Sequence, residues 1–346
     1  MTDTGVYNND EELLVQIGNF LSEQTDTEVC ARGLKRYAVG FSWMTFSFKA
    51  FTADNNEGVE YILRVGAPTG LYAPYSIKPQ VLSSRSLEGS GVPVPKVYWG
   101  TDDTSWIGAP FFICEKVGGI AVLPWESPGL PPLEGEYRDS LAEQFIDALA
   151  RIHTLDWQNQ PIAEMADGLS VENAAMKQIE EWESGISRWA SRAFPMLKWG
   201  TNWLKDNCPT APRLSIVHGD YRTGNFLEEN GDITAILDWE LAHLGDPHED
   251  IGWLSLPMYK GGSPLLCRLV DEDDFYRRYE DKTGIRVSRE SVRFYRAFSL
   301  YKLAITHIAA SDCFEKARMN DLRMPAMGSQ IPTALRQMMK TIEGSV

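Results

Sequence analysis

The sequence predicts an α+β protein of two lobes, an N-terminal antiparallel β-sheet lobe with one helix followed by a mainly helical C-terminal lobe. Three observations predict it. Aromatic and β-branched runs concentrate before residue 118, apolar residues at helical spacing dominate after residue 137, and Val117-Gly118-Gly119 joins the two stretches. The expected lobes are 1–117 and 118–346. At 346 residues, 43% of them hydrophobic and 23% charged, the chain can bury such cores without disulfides or structural metal.

In order along the chain, Leu13, Leu14, Ile17, Phe20 and Leu21 follow an acidic start and predict an amphipathic helix over 10–22. Segments 37–51 and 59–66 read as strands of a hairpin, turned by residues 53–58. A helix over 77–88, the punctuation Gly91-Val92-Pro93-Val94-Pro95, and strands at 96–99 and 111–117 complete the first third. Beyond it, Leu141, Phe145, Ala148, Leu149 and Ile152 mark one helical face, and 172–206, 271–283 and 288–311 carry a similar period. One β-like stretch interrupts them, from about 214 to 238.

Charge and cysteine usage narrow the function classes. The 33 basic against 48 acidic residues give a net charge of −15, which argues against a nucleic-acid backbone or an anionic membrane as partner. The five cysteines lack CxxC spacing, so neither a disulfide framework nor a zinc knuckle is expected. The first ten residues lack a secretory pattern, and no apolar run is long enough to span a bilayer. A cytoplasmic location fits these features. Oligomeric state is unreadable here.

The informative segment is 216–254, IVHGDYRTGNFLEENGDITAILDWELAHLGDPHEDIGWL. Between Glu228 and Asp250 it holds eight acids and no Lys or Arg. Such a run ordinarily makes a solvated face. Here Asp238 ends an apolar strand and precedes Trp239, which sets a carboxylate beside large apolar groups, where it wants a cation. Asp220 and Asn225 form D-x-x-x-x-N after His218-Gly219, and a hairpin-like loop would bring them to Asp238. Two carboxylates and an amide oxygen suit Mg²⁺, and they suit phosphoryl transfer, which needs a base for an attacking hydroxyl and a metal for phosphate charge.

On these residues the chain resembles the aminoglycoside-phosphotransferase family, which is related to choline kinases and protein kinases. HGDYRTGN is similar to its catalytic loop and Ile236-Leu237-Asp238-Trp239-Glu240 to its metal-binding segment. The long form LDWELAHLGDPHEDIGWL most resembles the phosphotransferase domains fused to acyl-CoA dehydrogenases. The resemblance implies a protein-kinase-like fold and transfer of the γ-phosphoryl group of ATP or GTP to a hydroxyl of a small molecule. It implies Asp220 as base, with Asn225, Asp238 and Glu240 about Mg²⁺. It also implies a phosphate-covering hairpin at 37–45 containing Gly40 and Ser42, a phosphate-binding cation at Arg64, and adenine contacts from the backbone of Glu115 and Val117. The acceptor it suggests is a hydroxyacyl-CoA or a related catabolic intermediate. The chain departs from the pattern in three places: only Gly40 stands for a glycine-rich loop, Arg64 replaces a lysine, and Gln80 stands where a partner glutamate belongs.

Blander readings stand beside these. His218 is expected to be architectural, His153 a core histidine, and the tryptophans packing groups. Asp246 and Asp250 are expected to cap the helix that starts near Ile251, with Asp250 also placed to hydrogen-bond the 218–220 loop. Two other functions fit parts of the sequence. His218, Asp220, His243, Asp246 and His248 could form a two-metal hydrolase, and Gln80 with the glycine-poor hairpin could mark a catalytically silent nucleotide-binding scaffold. No Walker or G-x-G-x-x-G motif is present.

Overall fold

A computed structural model describes residues 9–344 other than 38, 39, 41, 126 and 191. Helix α1 (Asp10–Thr25) opens the fold. Asp10, Glu11 and Glu12 sit at its positive end, and the Asn9 side chain accepts from the Glu12 N–H at 3.3 Å. Leu13, Ile17, Phe20 and Leu21 are buried, and Phe20 meets Phe111 edge-on at 4.8 Å.

That helix covers a five-stranded antiparallel sheet made of β1 (Cys30–Tyr37), β2 (Met44–Thr52), β3 (Asn55–Val65), β4 (Val97–Thr101) and β5 (Phe111–Glu115), in spatial order β1-β2-β3-β5-β4. Helix α2 (Lys78–Leu87) enters between β3 and β4. The predicted strand over 37–51 is corrected. It runs together the end of β1 and all but the last residue of β2, while 38, 39 and 41 lie outside the described residues. The predicted 53–58 turn shrinks, since Thr52 already pairs with Asn55. Strand β1 is not expected from the sequence, because Arg32, Lys35 and Arg36 hide its alternation. It is an edge strand, where charge deters pairing with another chain, and its register slips around Gly33 at φ 71°.

The remainder begins with β6 (Ile120–Ala121) and the helices α3 (Gly135–Thr154), α4 (Ala174–Trp189) and α5 (Pro195–Asp206). Four short strands follow: β7 (Ser215–Val217), β8 (Phe226–Glu229), β9 (Asp232–Ile236) and β10 (His243–Gly245). Then come α6 (His248–Leu254), α7 (Glu272–Thr283), α8 (Arg289–Glu315), α9 (Arg323–Gly328) and α10 (Ile331–Glu343). β6, β8 and β9 form one sheet and β7 pairs with β10. This pairing sets the 218–225 loop beside the 237–242 loop, which is how two segments distant in sequence meet. Helix α8 is buried on all sides at Ala297–Lys302 and forms the axis of the helical core. α2 serves both parts, with Leu82 and Leu87 in the helical core and Val81 against Phe112 and Cys114 of the sheet. No helix among the described residues is long and apolar enough to cross a membrane.

α6 lies so close on α8 that a Cβ on Gly252 would stand 2.6 Å from Tyr295 Cβ and 2.7 Å from its carbonyl carbon. Gly252→Ala is expected to lower unfolding free energy by about 1–3 kcal/mol, the usual range for overpacking, as read by urea denaturation.

Candidate active site

The 218–225 loop is held from below by one buried carboxylate. Asp250 accepts from the His218 N–H and the Gly219 N–H, each at 2.8 Å, and lies 3.1 Å from His153 Nε2. His153 in turn meets Tyr279 Oη at 2.7 Å, a satisfied core histidine as expected. Asp250 therefore ties the loop to α6. Capping falls to Asp246, which accepts from the His248 N–H at 2.9 Å.

His218 is architectural. Its Nδ1 accepts from the Asp220 N–H at 3.2 Å, so its Nε2 donates to the Leu237 carbonyl at 2.9 Å and joins the two loops. Burial lowers its pKa, although the Asp250 and Asp220 carboxylates pull the other way, so the ring stays neutral. Gly219 takes φ 81°, and a Cβ there would meet the Leu241 carbonyl oxygen at 2.6 Å. Gly219→Ala is expected to cost about 1–3 kcal/mol through both strain and clash, measurable as a lowered melting temperature.

Asp220 is gripped by four donors. Oδ1 accepts from Arg222 Nε at 2.7 Å and Trp253 Nε1 at 2.6 Å, and Oδ2 accepts from Arg222 Nη2 at 3.1 Å and Asn225 Nδ2 at 2.5 Å. The carboxylate is thus oriented and still in touch with solvent, its side chain 14% exposed. Asn225 also donates to the Asp220 carbonyl at 2.8 Å and so spends its nitrogen on this loop. Its amide oxygen accepts no hydrogen bond among the described residues. Trp253 is among the tryptophans expected to pack, and no spacing signal 33 residues downstream ties it to Asp220. Arg222 lies inside HGDYRTGN, where residue type alone gives it no role.

Asp238 has φ 68°, a left-handed conformation that a non-glycine residue adopts at a cost of roughly 1 kcal/mol. The preceding Leu237 N–H bonds the Asn225 carbonyl at 2.8 Å, which brings Asp238 to the same cleft. From the sheet, Arg64 Nη2 reaches Asp238 Oδ1 at 3.1 Å, and Arg64 Nη1 donates to Thr45 Oγ1 at the same distance. Asp238, not Gln80, is therefore the partner of Arg64. Gln80 Nε2 and Arg64 Nε are buried donors without partners among the described residues.

Ser42 Oγ donates to Glu240 Oε2, and Arg323 Nη2 donates to the Gly40 carbonyl at 3.2 Å, so among the described residues the β1–β2 connection touches the helical part through Ser42 and Gly40. Desolvation and the Asp238 charge push Glu240 up to about 8, against the opposing pull of Ser42 and Arg64. At the other side of the cleft the Glu115 N–H is spent on the Lys96 carbonyl at 2.8 Å. The backbone of Val117, in the irregular link after β5, has no hydrogen-bond partner among the described residues.

The donor set suits a hard cation only in part. Among the described residues no three His, Cys, Asp or Glu side chains gather to hold a metal. Any Mg²⁺ here would take Asp238 and the Asn225 oxygen, with phosphate and water oxygens completing its shell. The two-metal arrangement is poorly served, because the histidines it needs are engaged. His243 lies against the Leu241 carbonyl and Glu249, and His248 against Asp246 and the Ser288 N–H.

Comparison with known proteins agrees with this architecture. A structure from Ralstonia eutropha classed with the aminoglycoside phosphotransferases superposes with a TM-score of 0.70 at 24% identity, over 95% of this chain and 98% of that one. The ternary complex of APH(4)-Ia with ADP and hygromycin B gives 0.55 at 16% identity, over 95% and 98%. Among curated sequences, acyl-CoA dehydrogenase family member 10 of Mus musculus is 30% identical over 253 residues, 68% of this chain and 23% of that protein. Family member 11 of Pongo abelii is 28% identical over 258 residues, 70% of this chain and 32% of that protein. The chain thus spans about a quarter to a third of the length of these relatives. The model of the phosphotransferase enzyme family APH matches residues 44–288, and this chain, with its kinase-like fold, belongs to that family.

Proposed function

We propose that the chain transfers the γ-phosphoryl group of ATP or GTP to a hydroxyl of a small metabolite in the cleft between residues 1–117 and 118–346. The observation that carries this reading is Asp220, a carboxylate locked by Trp253, Arg222 and Asn225 in the cleft that also holds the Asp238–Arg64 pair.

In this mechanism the acceptor hydroxyl hydrogen-bonds Asp220. Its oxygen forms a bond to the γ-phosphorus, the bond to the β–γ bridging oxygen breaks with its electron pair leaving on the diphosphate, and the hydroxyl proton passes to Asp220. All four acceptor directions of the Asp220 carboxylate are already used, so one donor yields when the alcohol arrives. Arg64, brought to the cleft by its Nη2 contact with Asp238, neutralises phosphate charge, and Gly40 and Ser42 lie over the phosphates. The backbone of Val117 meets the base, with Glu115 beside it. Asn225 and Asp238, with Glu240 behind them, would hold Mg²⁺, which when bound neutralises charge on the transferring phosphates.

The acceptor class is open to a hydroxyacyl-CoA or a related catabolic intermediate, since the names of the curated relatives speak of acyl-CoA. The experiment is an ATP-consumption screen over hydroxyacyl-CoAs, amino sugars, amino alcohols and aromatic alcohols, with Asp220→Asn as blank. Turnover that needs Asp220 supports the reading. Nucleotide binding without turnover on any acceptor favours a silent scaffold.

A further inference from the structure

The carboxylates of the candidate site are answered by different partners. Asp220 is held by Trp253, Arg222 and Asn225, and Glu240 takes the Ser42 hydroxyl. Asp238 has Arg64, and its side chain makes no other ion pair or hydrogen bond among the described residues.

The sheet sets this pair. Arg64 of β3 stands directly across from Thr45 of β2, and Thr45 Oγ1 accepts from its Nη1 at 3.1 Å. That contact leaves Nη2 to reach Asp238 Oδ1, also at 3.1 Å, so the pair joins the sheet to the loop after β9. The two side chains are 19% and 30% exposed, which keeps the pair within reach of a ligand.

Helix α2 offers Arg64 no alternative. Its sequence, KPQVLSSRSL, contains no carboxylate, and the buried Gln80 is neutral. An acid on that helix within reach of Arg64 would hold the guanidinium and leave Asp238 free. In this chain the residue best placed to ligate a divalent cation is instead the counter-ion of an arginine. Asp238 Oδ2 stands open, yet a cation there would share one negative charge with the guanidinium, and like charges at that range repel strongly in a part-buried site. A nucleotide changes the balance. Its phosphate oxygens offer Arg64 a second anion, one that matches the planar guanidinium fork.

We infer that Arg64 stands in for the cation at Asp238 in the nucleotide-free chain, and that nucleotide phosphate draws it away, so that a divalent metal gains Asp238 together with the nucleotide and not before it. The inference rests on the phosphotransferase reading and adds to it the order in which the site loads. Since coupling between two ligands is reciprocal, Arg64 is the residue through which metal and nucleotide each favour the other.

Phosphate oxygens ligate a metal in any nucleotide site, so the measurement that separates this device from ordinary chelation is metal binding without nucleotide. The test uses the full chain with Mn²⁺, which suits the same oxygen ligands, and with ADP. Bound Mn²⁺ is read from the loss of its free electron-paramagnetic-resonance signal, and ADP affinity by calorimetry in EDTA. Without nucleotide, Arg64→Met is expected to bind Mn²⁺ about fivefold more tightly than the parent, the upper end of what parting a part-exposed ion pair costs. Arg64→Lys, which keeps the charge, shows no such gain. Adding Arg64→Met to Asp238→Asn also gives no gain, which separates Asp238 from the many other acids of the chain. In EDTA, Arg64→Met binds ADP about tenfold more weakly than the parent, because a charge-assisted contact to phosphate is lost.

An unchanged Mn²⁺ affinity in Arg64→Met, an equal gain in Arg64→Lys, a gain that persists when Asp238 is replaced, or an unchanged ADP affinity in EDTA overturns the inference and leaves the phosphotransferase reading intact. A parent chain that binds ADP neither with Mn²⁺ nor without it overturns the reading on which the inference rests.

Discussion

Asp220→Asn lowers the rate of phosphoryl transfer about a thousandfold, within the range that loss of a positioned general base produces. The substitution keeps the shape of the side chain and removes its ability to take a proton. Nucleotide affinity, read by equilibrium titration, stays within about threefold, because the groups expected to meet the nucleotide are Arg64, Asp238 and the Val117 backbone. A modest fall in melting temperature accompanies the change, since the new amide sets an N–H among Trp253 Nε1, Arg222 and Asn225 Nδ2, all of them donors. Turnover equal to that of the parent chain would remove Asp220 from the mechanism.

The largest stability effect is expected at Glu249. Its Oε1 accepts from Lys302 Nζ at 2.7 Å, its Oε2 lies 3.2 Å from His243 Nε2, and Glu249 and Lys302 are each 1% exposed. Glu249→Gln leaves a lysine charge in the core and is expected to cost about 3–5 kcal/mol, as removing one partner of a buried pair does. The ammonium lies 4.8 Å from the Trp253 ring and 5.7 Å from that of Trp182. Disturbing it therefore disturbs both the tryptophan that holds Asp220 and the Trp182 ring beside it.

The pH dependence of the same group has a definite sign. Burial alone would raise the Glu249 pKa, but Lys302 and His243 outweigh it and hold it down to about 2. The unfolded chain then takes up this proton before the folded one, so the contribution is full above the ordinary carboxylate range and is lost as pH falls toward about 2. His243 is shifted upward despite its burial, because Glu249 and the Leu241 carbonyl favour its charged form. Its contribution is full below the ordinary histidine range and is lost as pH rises through the raised pKa of the folded state. The parent chain should lose unfolding free energy on acidification through this window, and Glu249→Gln should show a shallower slope in the same titration.

Much of the site was legible because its chemistry is local. HGDYRTGN holds Asp220 and Asn225 within six residues, and the strand-ending Asp238 announces itself by an apolar run that stops at a carboxylate. The two-lobe plan was legible for a similar reason: hydrophobic period records which face of each element is buried, and it placed α1, β3, α2 and α3 close to where they lie. β1 and β10 were not legible. One is an edge strand whose charges conceal its alternation, and the other is three residues long inside an acidic run, so pairing partners distant in sequence decide both.

By itself the sequence determined the family, the succession of a sheet-rich and a helix-rich part, and the candidate residues for the site. Those depend on short-range spacing and on residue type. Only the tertiary structure decided that Trp253 and Arg222 hold Asp220 and that Asp238 rather than Gln80 answers Arg64. Each of these rests on a distance across the fold, set by strand pairing and helix packing, and no local pattern encodes a distance of that kind.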